Sequence, residues 1–164
     1  YEDGRYIVSV AEPGGEECSR AGLALKDVVM EADSQYGAGP VNNEYGLICR
    51  YTRGGDGKNS FYFFFVSSDG YYALGKVVRD VRTVLSPEDG SFQPSEAIVQ
   101  GPAAVNKLTA TCDGTRFSLA VNDTVVGEFE DDELPRGDVG VIAGTFDEGG
   151  VRLYFDNVVV RQPA

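Results

Sequence analysis

Residues 44–76 read EYGLICRYTRGGDGKNSFYFFFVSSDGYYALGK, and this stretch decides the fold. It holds three apolar segments, EYGLICRY, SFYFFFV and YYALGK, separated by the glycine-bearing polar connections GGDGKN and SSDG. Such a pattern predicts adjacent antiparallel strands. Successive side chains of a strand point to opposite faces, so the middle segment divides into Phe61, Phe63, Phe65 and Tyr62, Phe64, Val66. Both sets are apolar, which predicts a strand covered on both faces or one lining a groove. The preceding segment divides into Leu47, Cys49, Tyr51 and Ile48, Arg50, Thr52. A guanidinium is not buried unpaired, so the face carrying Arg50 should reach water, a carboxylate or a ligand. This assigns Leu47, Cys49, Tyr51, Tyr62, Phe64 and Val66 to the core. Ile48, Arg50, Phe61, Phe63 and Phe65 fall on a second, aromatic and partly polar face.

Outward from this stretch the chain is strand and turn. Tyr6–Val10 alternates as a first strand, and Pro13 in the following turn ends it. Residues 21–26 fit one helical turn or a strand lead-in, and residues 27–36, DVVMEADSQY, alternate as a half-buried strand. After the central trio, residues 77–85 continue as strand, residues 87–94 turn, and residues 95–99 are ambiguous. Leu108, Ala110 and Cys112 share a face; Asp113-Gly114 is a hairpin turn, answered by Phe117, Leu119 and Val121. Asn122-Asp123 turns into a strand over residues 124–130, and GDVGVIAGT (137–145) and VRLYFDNVVV (151–160) supply the last two. No segment holds a 3.6-residue apolar period over four turns. About a dozen short strands with Gly, Asn and Asp between them predict an all-β antiparallel sandwich with few or no helices, a closed barrel being the alternative.

The 164 residues suffice for one domain with a real core, and no linker divides them, so residues 1–164 are read as a single domain. No apolar run approaches the roughly 20 residues that span a bilayer, which argues against direct membrane insertion. The chain begins at Tyr1 rather than at methionine, and a processed or trimmed product is expected. Lys and Arg number 14 against 26 Asp and Glu, a net charge of −12 that repels phosphate backbones and argues against a nucleic-acid partner. None of the cysteine spacings suits a zinc site and no histidine is present to complete one, and without histidine no Ser-His-Asp or Cys-His arrangement can form. Of the three cysteines, Cys49 falls on the core face as a small hydrophobe, Cys18 lies in polar GGEECSR, and Cys112 ends KLTATC. The expected bridge is therefore Cys18–Cys112, with three reduced thiols as the alternative. Its closure could contribute roughly 4 to 5 kcal/mol in the loop-entropy model and would imply an oxidising, extracytoplasmic compartment.

The order YGLICRY, FYFFFVSSDGYY, NKLTATCDGTRFSLAVND, GDVGVIAG and FDNVVV resembles the concanavalin A-like lectin/glucanase jelly roll. Within it, the order is most similar to bacterial extracytoplasmic domains related to the 3-keto-disaccharide hydrolase family. The resemblance covers most of residues 45–160 and implies a jelly-roll sandwich. It carries little about activity, because this superfamily includes hydrolases, lectins and adhesion modules. Its retaining glucanases carry E-x-D-x-x-E, with the two carboxylates about 5 to 5.5 Å apart. The only comparable run here, EFEDDE (128–133), has the wrong spacing and reads as a solvated turn. Where the hydrolase-like relatives present polar, often acidic, residues to the cleft, this chain has Phe63 and Phe65; Arg50 matches and its acidic partners do not.

Three functional expectations follow. The first is a non-catalytic extracytoplasmic module binding a carbohydrate or other ligand on the face of Arg50, Phe61, Phe63 and Phe65, extended by Tyr71 if the SSDG turn keeps register. The second is a sugar hydrolase or lyase whose carboxylates come from separate loops. The third is a structural or partner-binding domain of a larger envelope protein, with a protein ligand. The resemblance also implies a structural calcium on the convex side, with Asp156 of FDNVVV as ligand and Glu2 and Asp3 beside it.

Overall fold

The computed structural model describes residues 1–164 and contains thirteen strands and no helix. They are β1 (Tyr6–Val10), β2 (Glu16–Arg20), β3 (Val28–Ala38), β4 (Asn43–Arg53), β5 (Asn59–Val66), β6 (Tyr71–Val78) and β7 (Val81–Ser86). There follow β8 (Gln93–Pro94), β9 (Val105–Asp113), β10 (Arg116–Val121), β11 (Thr124–Glu130), β12 (Asp138–Thr145) and β13 (Val151–Arg161). One sheet runs β1-β13-β3-β9-β10-β11, the other β2-β12-β4-β5-β6-β7, with β8 on β6, and all pairings are antiparallel. The chain passes repeatedly from one sheet to the other, as a jelly roll does.

The core lies between the sheets. Leu47, Tyr62, Phe64, Val66 and Leu74 from one meet Met30, Leu108, Phe117, Leu119, Leu153 and Phe155 from the other, in one contiguous cluster. Each such side chain contributes about 1.5–3 kcal/mol by leaving water. Tyr62, Phe117 and Phe129 form an aromatic knot, with Phe117 and Phe129 stacked 4.9 Å apart. A second cluster of Ile48, Tyr51, Phe61, Phe63, Phe65, Ala73, Val77 and Ile142 covers the outer face of the seven-stranded sheet.

The disulfide differs from the expected pairing. Cys49 of β4 is bonded to Cys112 of β9, and Cys18 is free. Cys49 faces the core as predicted, but Cys112 does too, from the opposite sheet, so the bond staples the two layers across the core. Cys18 sits opposite Ile142 on the outer side of the seven-stranded sheet, with that sheet between it and Cys112.

The two faces of β4 also differ from a strict alternation, and one bulge explains it. Register shifts after Cys49, where Arg50 adopts a left-handed φ of 53°. An extra residue in one strand exchanges the faces beyond it. Tyr51 therefore joins the outer cluster, stacked on Phe61 at 5.9 Å. Arg50 turns away from the phenylalanines and lies buried over the face of Phe117, 4.9 Å from its centroid. Its guanidinium donates to the carbonyls of Lys26, Leu134 and Gly114 at 2.8–3.0 Å and pairs with Asp27 at 3.4 Å. A Cβ on Gly137 would stand 2.5 Å from the Arg50 carbonyl carbon, so glycine there admits the bulged backbone.

Two strand boundaries differ as well. Residues 77–85 are broken by an Arg79-Asp80 turn in which both residues have positive φ, the hairpin geometry usually supplied by Asn-Gly. Residues 16–20, without any apolar alternation, form the exposed edge strand β2. Residues 21–26 hold a single β-bridge, Leu25 to Gly137.

Candidate functional site

Strand register places Glu16, Cys18 and Arg20 of β2, Gly144 and Ile142 of β12, and Glu44, Gly46 and Ile48 of β4 on the outer face of the seven-stranded sheet. Phe65, Phe63 and Phe61 of β5, Ala73, Gly75 and Val77 of β6, and Arg82 and Val84 of β7 continue it. Laid flat, the five steps from β2 to β7 would span roughly 24 Å at about 4.8 Å each. Yet Arg82 of β7 reaches Glu16 of β2 at 3.0 Å. Two side chains cannot bridge the flat distance, so the sheet curls until its edge strands approach, and this face is a concave groove.

Arg82 is gripped from two sides. Its Nη1 donates to Glu44 Oε2 at 2.9 Å and its Nη2 to Glu44 Oε1 at 2.7 Å, a two-point fork, while Nη2 also meets Glu16 Oε2. The Glu44 side chain is 5% exposed, Arg82 34% and Glu16 35%. A Cβ on Gly144 would lie 2.9 Å from the Glu44 carboxylate, so the glycine leaves the space that carboxylate occupies. Burial pushes the Glu16 carboxyl up, and the neighbouring Glu44 adds to this against the opposing pull of Arg82. Burial would lower the Arg82 pKa, but its two carboxylate partners outweigh that and hold it above the usual value.

The guanidinium also roofs the aromatic rings. Arg82 lies 5.4 Å and 5.2 Å from the centroids of Phe63 and Phe65, which stack on each other at 4.6 Å. At the other end of the groove Arg20 lies 4.2 Å over Tyr51, whose hydroxyl donates to Asn59. Arginines from the two opposite edge strands thus cap one aromatic row.

Phe61, Phe63 and Phe65 share the groove as the sequence predicts, but they are buried, so they support its floor and do not present faces to a ligand. Arg50 is not among them, because the bulge directs it into the protein. Tyr71 lies on the same side of β6 as Ala73 and remains 40% exposed. Glu16, Arg20 and Arg82 escaped the sequence reading because they occupy edge strands without apolar alternation. Glu44 was accessible to it, since it shares the parity of Ile48.

The acidic run 128–133 is not uniformly solvated. Asp131 accepts hydrogen bonds from the Tyr62 hydroxyl and from Lys76, each at 2.6 Å, and Lys76 also pairs with Glu133. Burial pushes the Tyr62 phenol up to about 12, reinforced by Asp131.

On the opposite sheet, Asp156 accepts the N–H of Asn157 and sits beside Asp33 of β3, while Glu2 pairs with Arg152 and Asp3 occupies a tight turn at φ 51°. No three carboxylate, thiol or imidazole groups are gathered there or elsewhere in an arrangement suited to a metal.

No protein-family profile and no curated sequence matches the chain. Solved structures do. A carbohydrate-binding module, CBM66, from Bacillus subtilis superposes with a TM-score of 0.71 at 16% identity, covering 97% of this chain and 96% of that one. The β-glucanase of Bacillus licheniformis gives 0.68 at 10% identity, covering 98% and 79%. Sheep galectin-11 gives 0.60 at 13% identity, covering 88% and 96%. Two antiparallel sheets joined by strands that alternate between them, one sheet curled into a groove, and these likenesses together establish the concanavalin A-like jelly-roll fold.

Proposed function

We propose that this domain is a non-catalytic, extracytoplasmic module that binds a saccharide in the groove of the seven-stranded sheet. One observation carries the reading: Arg82, Glu44 and Glu16, from three different strands, converge over the Phe63–Phe65 pair, with Arg82 and Glu16 a third exposed in the groove and Glu44 buried behind them. A saccharide offers many hydroxyls in fixed directions. Preset charged acceptors and donors on rigid strands recognise such a ligand at little ordering cost. Exposed Tyr71 extends the groove with a ring able to lie against a pyranose face. The inter-sheet disulfide suits an oxidising compartment, and the carbohydrate-binding module and the galectin share the fold.

The test is a glycan array followed by titration calorimetry on the best ligand. Arg82→Met keeps an apolar cover over Phe63 and Phe65 but strands the nearly buried Glu44 carboxylate, so binding should fall at least about tenfold and the melting temperature should fall too. The paired variant Arg82→Met, Glu44→Met, which leaves no buried charge unpaired, should restore most of the stability and none of the binding. If no glycan binds the intact domain, the reading fails and a structural or partner-binding role takes its place.

A hydrolase reading has one observation in its favour, since Glu16 and Glu44 both reach the same Arg82 nitrogen and so lie close together. The guanidinium occupies the space between them where a scissile bond would have to sit. Turnover of aryl glycosides or of 3-keto-disaccharides, abolished by Glu16→Gln, would establish that activity.

A further inference from the structure

An arginine in a saccharide groove ordinarily suggests an acidic sugar. Here both terminal nitrogens of Arg82 are already committed, two bonds to Glu44 and one to Glu16. The fork that would grip a carboxylate or sulfate is occupied by the protein's own carboxylates. One guanidinium against two carboxylates leaves one surplus negative charge at this end of the groove. What remains open to a ligand is chiefly the acceptor capacity of Glu16, a third exposed, because Glu44 is almost wholly buried and Arg82 keeps only its Nε–H and one Nη1–H, which do not form an end-on fork. The net charge of −12 adds a repulsive background for anions.

The two ends of the groove carry different charged groups. Arg20 lies on the same face at the Tyr51 end, where it forms no ion pair, and Arg53 shares that end by register opposite Asn59. Asp138, the register partner of Tyr51, and Asp80 lie at that end too, their carboxylates accepting the backbone N–H groups of Gly22, Leu23 and Asn59, so the end is mixed in charge with Arg20 as an unpaired cation.

We infer that the Glu44 end selects sugars that present hydroxyl or ammonium donors and rejects uronates and sulfated sugars. The inference rests on the saccharide-binding reading. Glu16 contributes the surplus charge, because Glu44 by itself already balances Arg82.

The experiment measures, by calorimetry at low salt, the intact domain against size-matched neutral, free-amino and uronate oligosaccharides of one backbone type. The neutral and amino forms should bind at least about tenfold tighter than the uronate, from a like charge held at close range. Glu16→Gln should narrow that ratio towards one, whereas Arg20→Gln, at the other end, should keep or widen it. The inference is overturned if the uronate binds as well as its neutral counterpart, or if Glu16→Gln leaves the ratio unchanged. Absence of binding by every member of the panel overturns it together with the saccharide reading, and so separates the two failures.

Discussion

Replacing Arg50 by methionine tests whether the bulge has turned this residue from the groove into a structural tie. In the fold its guanidinium, almost wholly buried, donates to three carbonyls that belong to three different segments, residues 26, 114 and 134. Methionine keeps most of the packing against Phe117 but none of the donors. Hydrogen bonds from a charged group contribute roughly 1.5–3 kcal/mol each, and acceptors left buried cost about 1–3 kcal/mol each. Some carbonyls recover by admitting water, so a loss of about 3–5 kcal/mol is expected, in the range seen when one partner of a buried ion pair is removed. For a domain of this size that lowers the melting temperature by roughly 6–20 °C. Urea unfolding measures the free energy, with the m-value unchanged if only stability is altered. Arg50→Lys should recover only part of the loss, because a single ammonium cannot fork to three carbonyls. A loss below about 1 kcal/mol, combined with loss of glycan binding, would refute the reasoning and return Arg50 to the ligand face.

Non-reducing peptide mapping should recover Cys49 linked to Cys112, with Cys18 alkylated in the native protein; the double variant Cys49→Ala, Cys112→Ala should lose roughly 4 kcal/mol for a loop of 63 residues. At alkaline pH the Tyr62–Asp131–Lys76 cluster should weaken. The Tyr62 and Lys76 pKa values are both raised in the fold, so their stabilisation is complete below the unfolded value of about 10 and is lost as pH rises through the folded ones, near 12 for Tyr62. Phenolate absorbance should show two tyrosines titrating late, Tyr62 and the deeply buried Tyr45, and Asp131→Asn should move only the Tyr62 phase earlier. For calcium at Asp156, Glu2 and Asp3, the proposal requires Glu2 to leave Arg152; saturating calcium should then raise the melting temperature, EDTA should reverse it, and Asp156→Ala should abolish it. An unchanged melting curve removes that site.

Much of the architecture was written in the sequence because it depends on local signals. The parity of Tyr62, Phe64, Val66 against Phe61, Phe63, Phe65 already required β5 to be covered on both faces or to line a groove, and one set faces the inter-sheet core while the other forms the groove floor. The turn at Asn122-Asp123 was legible because those residues adopt turn geometry readily, whereas the preceding hairpin closes one residue later than expected, on Gly114-Thr115, because Asp113 still pairs with Arg116. Parity fails beyond a bulge, and nothing in CRY marks the left-handed residue, so Arg50 and Tyr51 exchange faces only once β4 is paired to β5 and β12. The disulfide likewise depends on which cysteines face each other across the layers, a distance that sequence separation does not encode. The groove site is the most tertiary feature of all. Glu16, Glu44 and Arg82 are separated along the chain and lie on strands with no sequence relation to one another. They meet because twist and closure curl a six-strand path until its edges approach, and that curvature belongs to the whole sheet rather than to any segment of it.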